Sequence, residues 1–273
     1  MQLAGLFIYP VKGCRGLSLA EAAVDALGLV GDRRFLIVDS SGKFITQRTH
    51  PQLALIATSL DDTELTLSLP KHEPLVIPRA SDPSARLLRV EVWKSRDLEA
   101  EDCGDRSASW LTSVLGTAAR LTRIGGHFHR PVKPGKARPG DIVSFADAYP
   151  FLVISEASLA DLNDRLIEQG EEMLPMNRFR PNLVISGAPA FAEDTLARFS
   201  IGNVTFRTAG PCARCIVTTT NQTTGERLGP EPLCTLAGYR RNPADNNEVI
   251  FGQNLIHETK SGFLKVSDAV ALL

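Results

Sequence analysis

Cys212 and Cys215, in Pro211-Cys212-Ala213-Arg214-Cys215, form the densest grouping of soft, redox-capable side chains in the sequence. Thiolates ligate metals, attack electrophiles or cycle through disulfides, and a guanidinium such as Arg214 favours the ionised form. As half of a zinc site the pair lacks further Cys or His residues at ligand spacing. As a dithiol redox motif it lacks a following helix, because the β-branched run Ile216 to Thr220 comes next and reads as a strand. Two readings stay open: one thiolate kept for a metal or for nucleophilic work, or a buried structural cysteine beside a surface arginine.

A second grouping is cationic. Pro10-Val11-Lys12-Gly13-Cys14 sets an ammonium beside a glycine whose backbone N–H can join it on a phosphate. Arg33 and Arg34 precede the apolar run Phe35-Leu36-Ile37-Val38, and Arg178-Phe179-Arg180-Pro181-Asn182 again sets arginines before an apolar strand. Guanidinium suits bidentate contact with phosphate, although most such arginines taken singly only solvate strand ends. Phe251-Gly252-Gln253-Asn254 places two amides at a glycine turn, a donor and acceptor set for a heterocycle's edge. His127 and His129 are the one close histidine pair and read as solvated loop residues. G-x-G-x-x-G and G-x-x-x-x-G-K patterns are missing, so the common dinucleotide and nucleoside triphosphate sites are not supported.

The elements that must position these groups are mostly strands. Phe35 to Val38 and Phe44 to Thr46 flank Asp39-Ser40-Ser41-Gly42-Lys43 as a hairpin, and Leu65, Leu67, Leu69 and Leu88, Val90, Val92 alternate with polar neighbours. A helix is expected from Arg106 to Leu115, capped by Asp105 and stopped by Gly116. Gly125 to Gly140, rich in Pro, Gly and basic residues, reads as a mobile connector that separates domains 1–123 and 124–273. In the second domain Ser155 caps a helix carrying Leu159, Leu162 and Leu166, and strands resume at Leu183-Val184-Ile185 and at Val204 to Phe206.

Composition bounds the function. A chain of 273 residues, 43% hydrophobic and 22% charged, is an ordinary globular protein of one large or two modest domains. Thirty Lys and Arg against 31 Asp and Glu leave a net charge of -1, without the basic field of a non-specific nucleic-acid binder. No stretch is long and apolar enough for a membrane span, and the N-terminus lacks a secretory layout. Five cysteines, an odd number, read as free thiols, and the expected compartment is the cytoplasm.

Tyr9-Pro10-Val11-Lys12-Gly13-Cys14, Asp32-Arg33-Arg34-Phe35, Thr46-Gln47-Arg48, Pro150 to Leu159, Phe179 to Asn182, Pro211 to Cys215 and Phe251 to Asn254 occur in one order. In that order the chain resembles the MOSC proteins, in the branch where an N-terminal MOSC β-barrel domain precedes the MOSC domain, as in the amidoxime-reducing components and their bacterial relatives. The resemblance implies a predominantly β (α+β) fold: an N-terminal MOSC-type β-barrel domain plus a MOSC β-barrel domain with a few helices. It implies a molybdenum cofactor (Mo-molybdopterin) held between the two, with Cys215 as the catalytic thiolate and metal ligand, and Cys212 as a structural neighbour. Lys12, Gly13 and Arg34 fall where the family holds the terminal phosphate, Gly13 standing where a Ser is common. Arg180, Asn182 and Arg214 fall along the pterin and metal, Asp147, Ala148 and Tyr149 where relatives meet cofactor or substrate, and Asn254 beside the substrate.

The implied activity is two-electron reduction of small N-oxygenated compounds. Its electrons come from a separate donor protein, a flavin, haem or iron–sulfur reductase, for which the basic connector around Lys133 and Arg138 is a candidate docking surface. The alternative is a carrier that binds the cofactor or hands on persulfide sulfur without turnover. Family-level descriptions of the domain also mention pyridoxal phosphate binding.

Overall fold

The computed structural model describes residues 1–273 and is predominantly β with a few helices. Its largest sheet has nine strands. Across the main path the order is Val270–Leu272, Arg198–Ile201, Val204–Ala213, Asp245–His257, Phe151–Ser155, Leu183–Ser186, Gln2–Ile8 and Leu17–Leu19. All neighbours along it are antiparallel except Phe151–Ser155 and Leu183–Ser186, which the helix Glu156–Glu168 connects as a crossover. Ser155 caps that helix by accepting from the Ser158 N–H at 3.0 Å, and Leu162 and Leu166 are buried on its inner stripe.

The remaining strands form three smaller antiparallel sheets. One joins Phe35–Val38, Arg120–Arg123, Ser95–Asp102 and Leu87–Val92; another joins Ala57–Leu60, Glu64–Ser68 and Leu75–Pro78. Alternation puts Leu65, Leu67, Leu75, Ile77 and Ile37 into one apolar core, while Leu3, Leu6, Phe151, Phe199 and Phe206 build a second.

Strand pairing joins the two sequence halves across the connector. Gln2–Ile8 pairs with Leu183–Ser186, and Glu21–Asp25 pairs with Gly262–Lys265, so the first 29 residues complete the sheets of the C-terminal half. The connector is also less free than its composition suggests. Arg130 is 3% exposed and donates to the carbonyls of Ser144, Ala146 and Asp147, which pins the segment against the turn that follows it.

Three local expectations change for physical reasons. Residues Ile216–Thr219 form a 3-10 turn rather than a strand, because the Thr218 and Thr219 hydroxyls donate to the carbonyls three residues back, at 2.9 and 2.8 Å. Phe44 makes only an isolated bridge to Val38, since the Asp39 carboxylate captures the turn N–H groups of Ser41 and Lys43. The first-half helix spans Asp105–Leu115 with Gly104 at its N-cap, leaving Asp105 in the first turn to accept from Arg120; Gly116 ends it in the left-handed conformation as expected.

Candidate functional site

A cleft of about 920 Å³ out to its mouth opens between segments of the two halves. Lys12, Gly13, Arg33, Arg48 and Trp93 line it from the N-terminal half, and Asp147, Tyr149, Arg180, Arg214, Cys215 and Asn254 from the C-terminal half. Ten of the eleven residues assigned from the sequence, Asn182, Ala148 and Lys12 among them, therefore border one cavity.

Arg34 does not. Its guanidinium turns away to the Asp25 carboxylate at 2.7 Å and the Leu29 carbonyl at 3.1 Å. The neighbour Arg33 takes the cleft position instead, in the left-handed region at φ 47°, a conformation that costs an L-residue free energy and is found where surroundings impose it. What imposes it is on both sides. Its Nη1 donates to Asp32 at 2.7 Å and to the Asn182 amide oxygen at 3.0 Å. Asn182, 1% exposed, spends its other bonds on the Leu152 N–H and the Phe7 carbonyl, so it holds Arg33 in place rather than offering a free amide.

Arg180 also has a positive φ, 56°, and both guanidiniums lie over the Tyr9 ring, at 4.4 Å for Arg33 and 4.2 Å for Arg180. Burial lowers the Arg180 pKa, and repulsion from Arg33 adds to that, while Tyr9 works against it. Burial pushes the Tyr9 phenol up to about 12 against the pull of the two arginines, and its hydroxyl donates to the Pro181 carbonyl at 3.0 Å. The Arg180 side chain donates to no protein acceptor.

Lys12 sits on the opposite wall. Its Nζ donates to the Phe145 carbonyl at 2.8 Å and to Asp147 at 2.5 Å. Burial lowers its pKa to about 8, with Arg130 and Arg33 contributing and Asp147 opposing. Burial would raise the Asp147 carboxyl, but the Lys12 ion pair, the Trp93 N–H at 2.9 Å and Arg33 outweigh it and hold the group well below the ordinary carboxylate range. Trp93 offers its face to Arg48, 4.3 Å away, whose guanidinium has no hydrogen-bond partner. Beside Lys12, Gly13 adopts φ 91°, and a Cβ there would stand 3.0 Å from Leu53 Cδ1; its N–H donates to no protein acceptor.

Cys215 precedes the 3-10 turn, half-buried, and its Sγ makes no hydrogen bond. Arg214 Nη1 donates to Cys212 Sγ at 3.0 Å and Nη2 to the Phe179 carbonyl at 2.7 Å, leaving its buried Nε unpartnered. Burial raises the Cys212 thiol against the pull of Arg214. Breaks in strand register after Thr208 and after Pro211 bend the chain just ahead of this pair. No three His, Cys, Asp or Glu side chains converge to hold an ion. A metal at Cys215 would have to bring most of its ligands with it, and the cations opposite suit an anionic ligand frame.

Tyr9, Arg33, Arg48 and Trp93 were not assigned as site residues from the sequence. Tyr9, Arg33 and Arg48 all lie inside the quoted motifs, but only the fold decides that Arg33 rather than Arg34 enters the cleft. Trp93 meets Asp147 across 54 residues and leaves no local signal.

Fold and cleft together define a two-part MOSC protein. A MOSC N-terminal beta barrel domain model matches residues 1–118 and a MOSC domain model matches residues 140–271. The chain belongs to this family. It is 38% identical to mitochondrial amidoxime-reducing component 1 of Homo sapiens over 285 residues, covering 99% of this chain and 82% of the relative. Mitochondrial amidoxime reducing component 2 of Bos taurus is also 38% identical, covering 97% of this chain and 81% of the relative. The crystal structure of the YUAD protein from Bacillus subtilis covers 98% of this chain and 93% of its own at 12% identity and a TM-score of 0.41, too slight a likeness to carry weight. No helix is long and apolar enough to cross a membrane.

Proposed function

We propose that the chain is a molybdenum-cofactor-dependent reductase of N-hydroxylated compounds. The observation that carries the reading is one cleft that holds both a thiol with no protein partner and two guanidiniums, Arg48 and Arg180, with no hydrogen-bond partner, where no three metal-ligating side chains converge. The printed names of the relatives add to it. Lys12, Arg33 and the Gly13 N–H would hold the cofactor's phosphate, Arg180 and the free Nε of Arg214 its polar ring edge, and Cys215 the metal. When bound, the cofactor supplies a two-electron redox couple.

In the reaction the substrate's N–O bond breaks, two electrons and two protons enter, and N–H and water leave. The chain's own part is to bind and orient: Asn182 fixes Arg33, Asp147 and Phe145 fix Lys12, and the open mouth admits protons from solvent. Lys12, the one lysine on the cleft, is committed to those partners, so no imine chemistry with pyridoxal phosphate is assigned to it.

Electrons come, in this proposal, from a separate flavin, haem or iron–sulfur protein. Lys133 and Lys136 stay exposed on the connector, whose Val132 packs in the same small core as Tyr149, so a basic docking face flanks the cleft. A reducing compartment, the cytoplasm, belongs to the same proposal and is supported by five free cysteines.

Purified holoprotein should contain molybdenum and pterin in equal amounts and reduce benzamidoxime to benzamidine with reduced methyl viologen. Bound cofactor or a Cys215 persulfide without turnover would replace the enzyme by a carrier. Protein devoid of both would remove the proposal.

A further inference from the structure

Behind the cleft two buried amides form a clasp that neither the cations nor the thiol accounts for. Gln47, 1% exposed, and Gln222, 6% exposed, lie 175 residues apart and bond to each other twice. Gln47 Nε2 donates to Gln222 Oε1 at 3.1 Å, and Gln222 Nε2 donates to Gln47 Oε1 at 3.0 Å. The second N–H of each amide goes to backbone: Gln47 donates to the Gly13 carbonyl at 2.7 Å, and Gln222 to the Thr220 carbonyl at 3.1 Å. A carbonyl only accepts, so these outer partners fix which way both amides face, and every N–H of the pair is used. Arg227 ties the same junction from its outer side. Its Nε donates to Thr220 Oγ1 at 3.0 Å, its Nη1 to the Arg48 carbonyl at 3.1 Å and its Nη2 to the Gln47 carbonyl.

The segments joined belong to opposite ends of the cleft. Gly13 follows Lys12, and Arg48 carries the guanidinium that lies over Trp93. Thr220 closes the 3-10 turn Ile216–Thr219, whose N-cap is Cys215. An apolar pair of similar shape would serve stability nearly as well as two buried amides; what the amides add is direction, because each fixes one backbone carbonyl. We infer that Gln47 and Gln222 are positioning residues that set the span between the Gly13 end and the turn carrying the Cys215 thiol. The inference rests on the reductase reading above, in which one cofactor is held at both ends. A small misplacement of one end is then felt in the rate, not in substrate binding.

The test uses the double variant Gln47→Leu/Gln222→Leu, which removes both amides together and leaves neither unpaired, with two readouts. In the full chain purified without cofactor, alkylation of Cys215 by iodoacetamide is followed by mass spectrometry against the exposed Cys234. The ratio of the two rates should rise roughly threefold to tenfold, the size of one net hydrogen bond lost from the turn. In holoprotein with reduced methyl viologen, kcat for benzamidoxime per bound molybdenum should fall at least about tenfold while KM stays within about twofold. Arg227→Leu cuts the bond to Thr220 Oγ1 from a half-buried position and should move both readouts the same way by less, so it decides the matter if the double variant does not fold. Wild-type values of either readout in the double variant, or in Arg227→Leu where the double variant is unfolded, overturn the inference while leaving the reductase standing. A wild-type holoprotein without turnover, whose alkylation ratio still rises on substitution, counts against the reductase reading alone.

Discussion

The Lys12–Arg33 side of the cleft and the Cys215 side are built on opposite plans. Lys12 and Arg33 themselves each have protein partners: a carbonyl and a carboxylate for Lys12, a carboxylate and an amide for Arg33. Around Cys215 bonding capacity is left over: the Sγ is free, Arg214 Nε is buried without a partner, and Tyr149 OH and Asn254 Oδ1 have none. Of these only Arg214 Nε is buried; a buried polar atom without a partner costs free energy, so that nitrogen marks where a ligand is expected to complete the structure. The first side is pre-organised to hold charge; the second is left incomplete for chemistry.

The largest test of that contrast is Cys215→Ala. If the thiol side does chemistry and the cationic side only holds, benzamidoxime reduction falls at least about 1000-fold, while circular dichroism shows an intact fold and some pterin stays bound. Full retention of activity would erase the distinction. Next in size is Arg33→Leu. Asp32 is buried, and stripping its partner leaves an uncompensated charge, so urea unfolding should report a loss of about 3–5 kcal/mol together with cofactor loss. Arg34→Leu removes a pair whose Asp25 is 44% exposed and should cost under about 1 kcal/mol with cofactor content unchanged. Equal cofactor loss in both would restore Arg34 to the site.

That pair of arginines also shows how far the sequence could be read. The alternating leucines, the Ser155 cap and the Leu162–Leu166 stripe were legible because local geometry alone decides them. Which of two adjacent arginines enters the cleft was not, since the choice depends on a left-handed φ imposed by Asn182, 149 residues away. The run Ile216 to Thr220 misled through side-chain class: β-branching favours a strand, but threonine hydroxyls bonding to near carbonyls favoured a turn. Nor could composition at the connector reveal that Gln2–Ile8 would cross to the second half's sheet, because strand pairing over such separations leaves no local trace.

A milder probe acts through pH on the holding side alone. Lys12 is lowered to about 8 from an ordinary lysine value near 10.5, so its amine loses the proton, and the attraction for an anion, within a reachable range. Below about 8 the ammonium is present and cofactor retention should be flat. Above it, retention on dialysis, read as molybdenum per chain, should fall by up to tenfold per pH unit as the neutral form takes over. In Lys12→Arg the charge persists and the decline should vanish, whereas a decline that survives the substitution would place its cause elsewhere.

The smallest expected effect separates the two sides by packing. Gly13 and Gly210 both hold positive φ, 91° and 116°, so alanine at either position carries a similar backbone cost of about 1–2 kcal/mol. Their surroundings differ: at Gly13 the new methyl stands 3.0 Å from Leu53 Cδ1, while at Gly210 it enters open space. Gly13→Ala should therefore be less stable than Gly210→Ala by about 1 kcal/mol in paired urea melts, the increment for overpacking a filled site. Identical losses would mean that the cationic side yields as readily as the open position at Gly210, and its description as the rigid partner would fail.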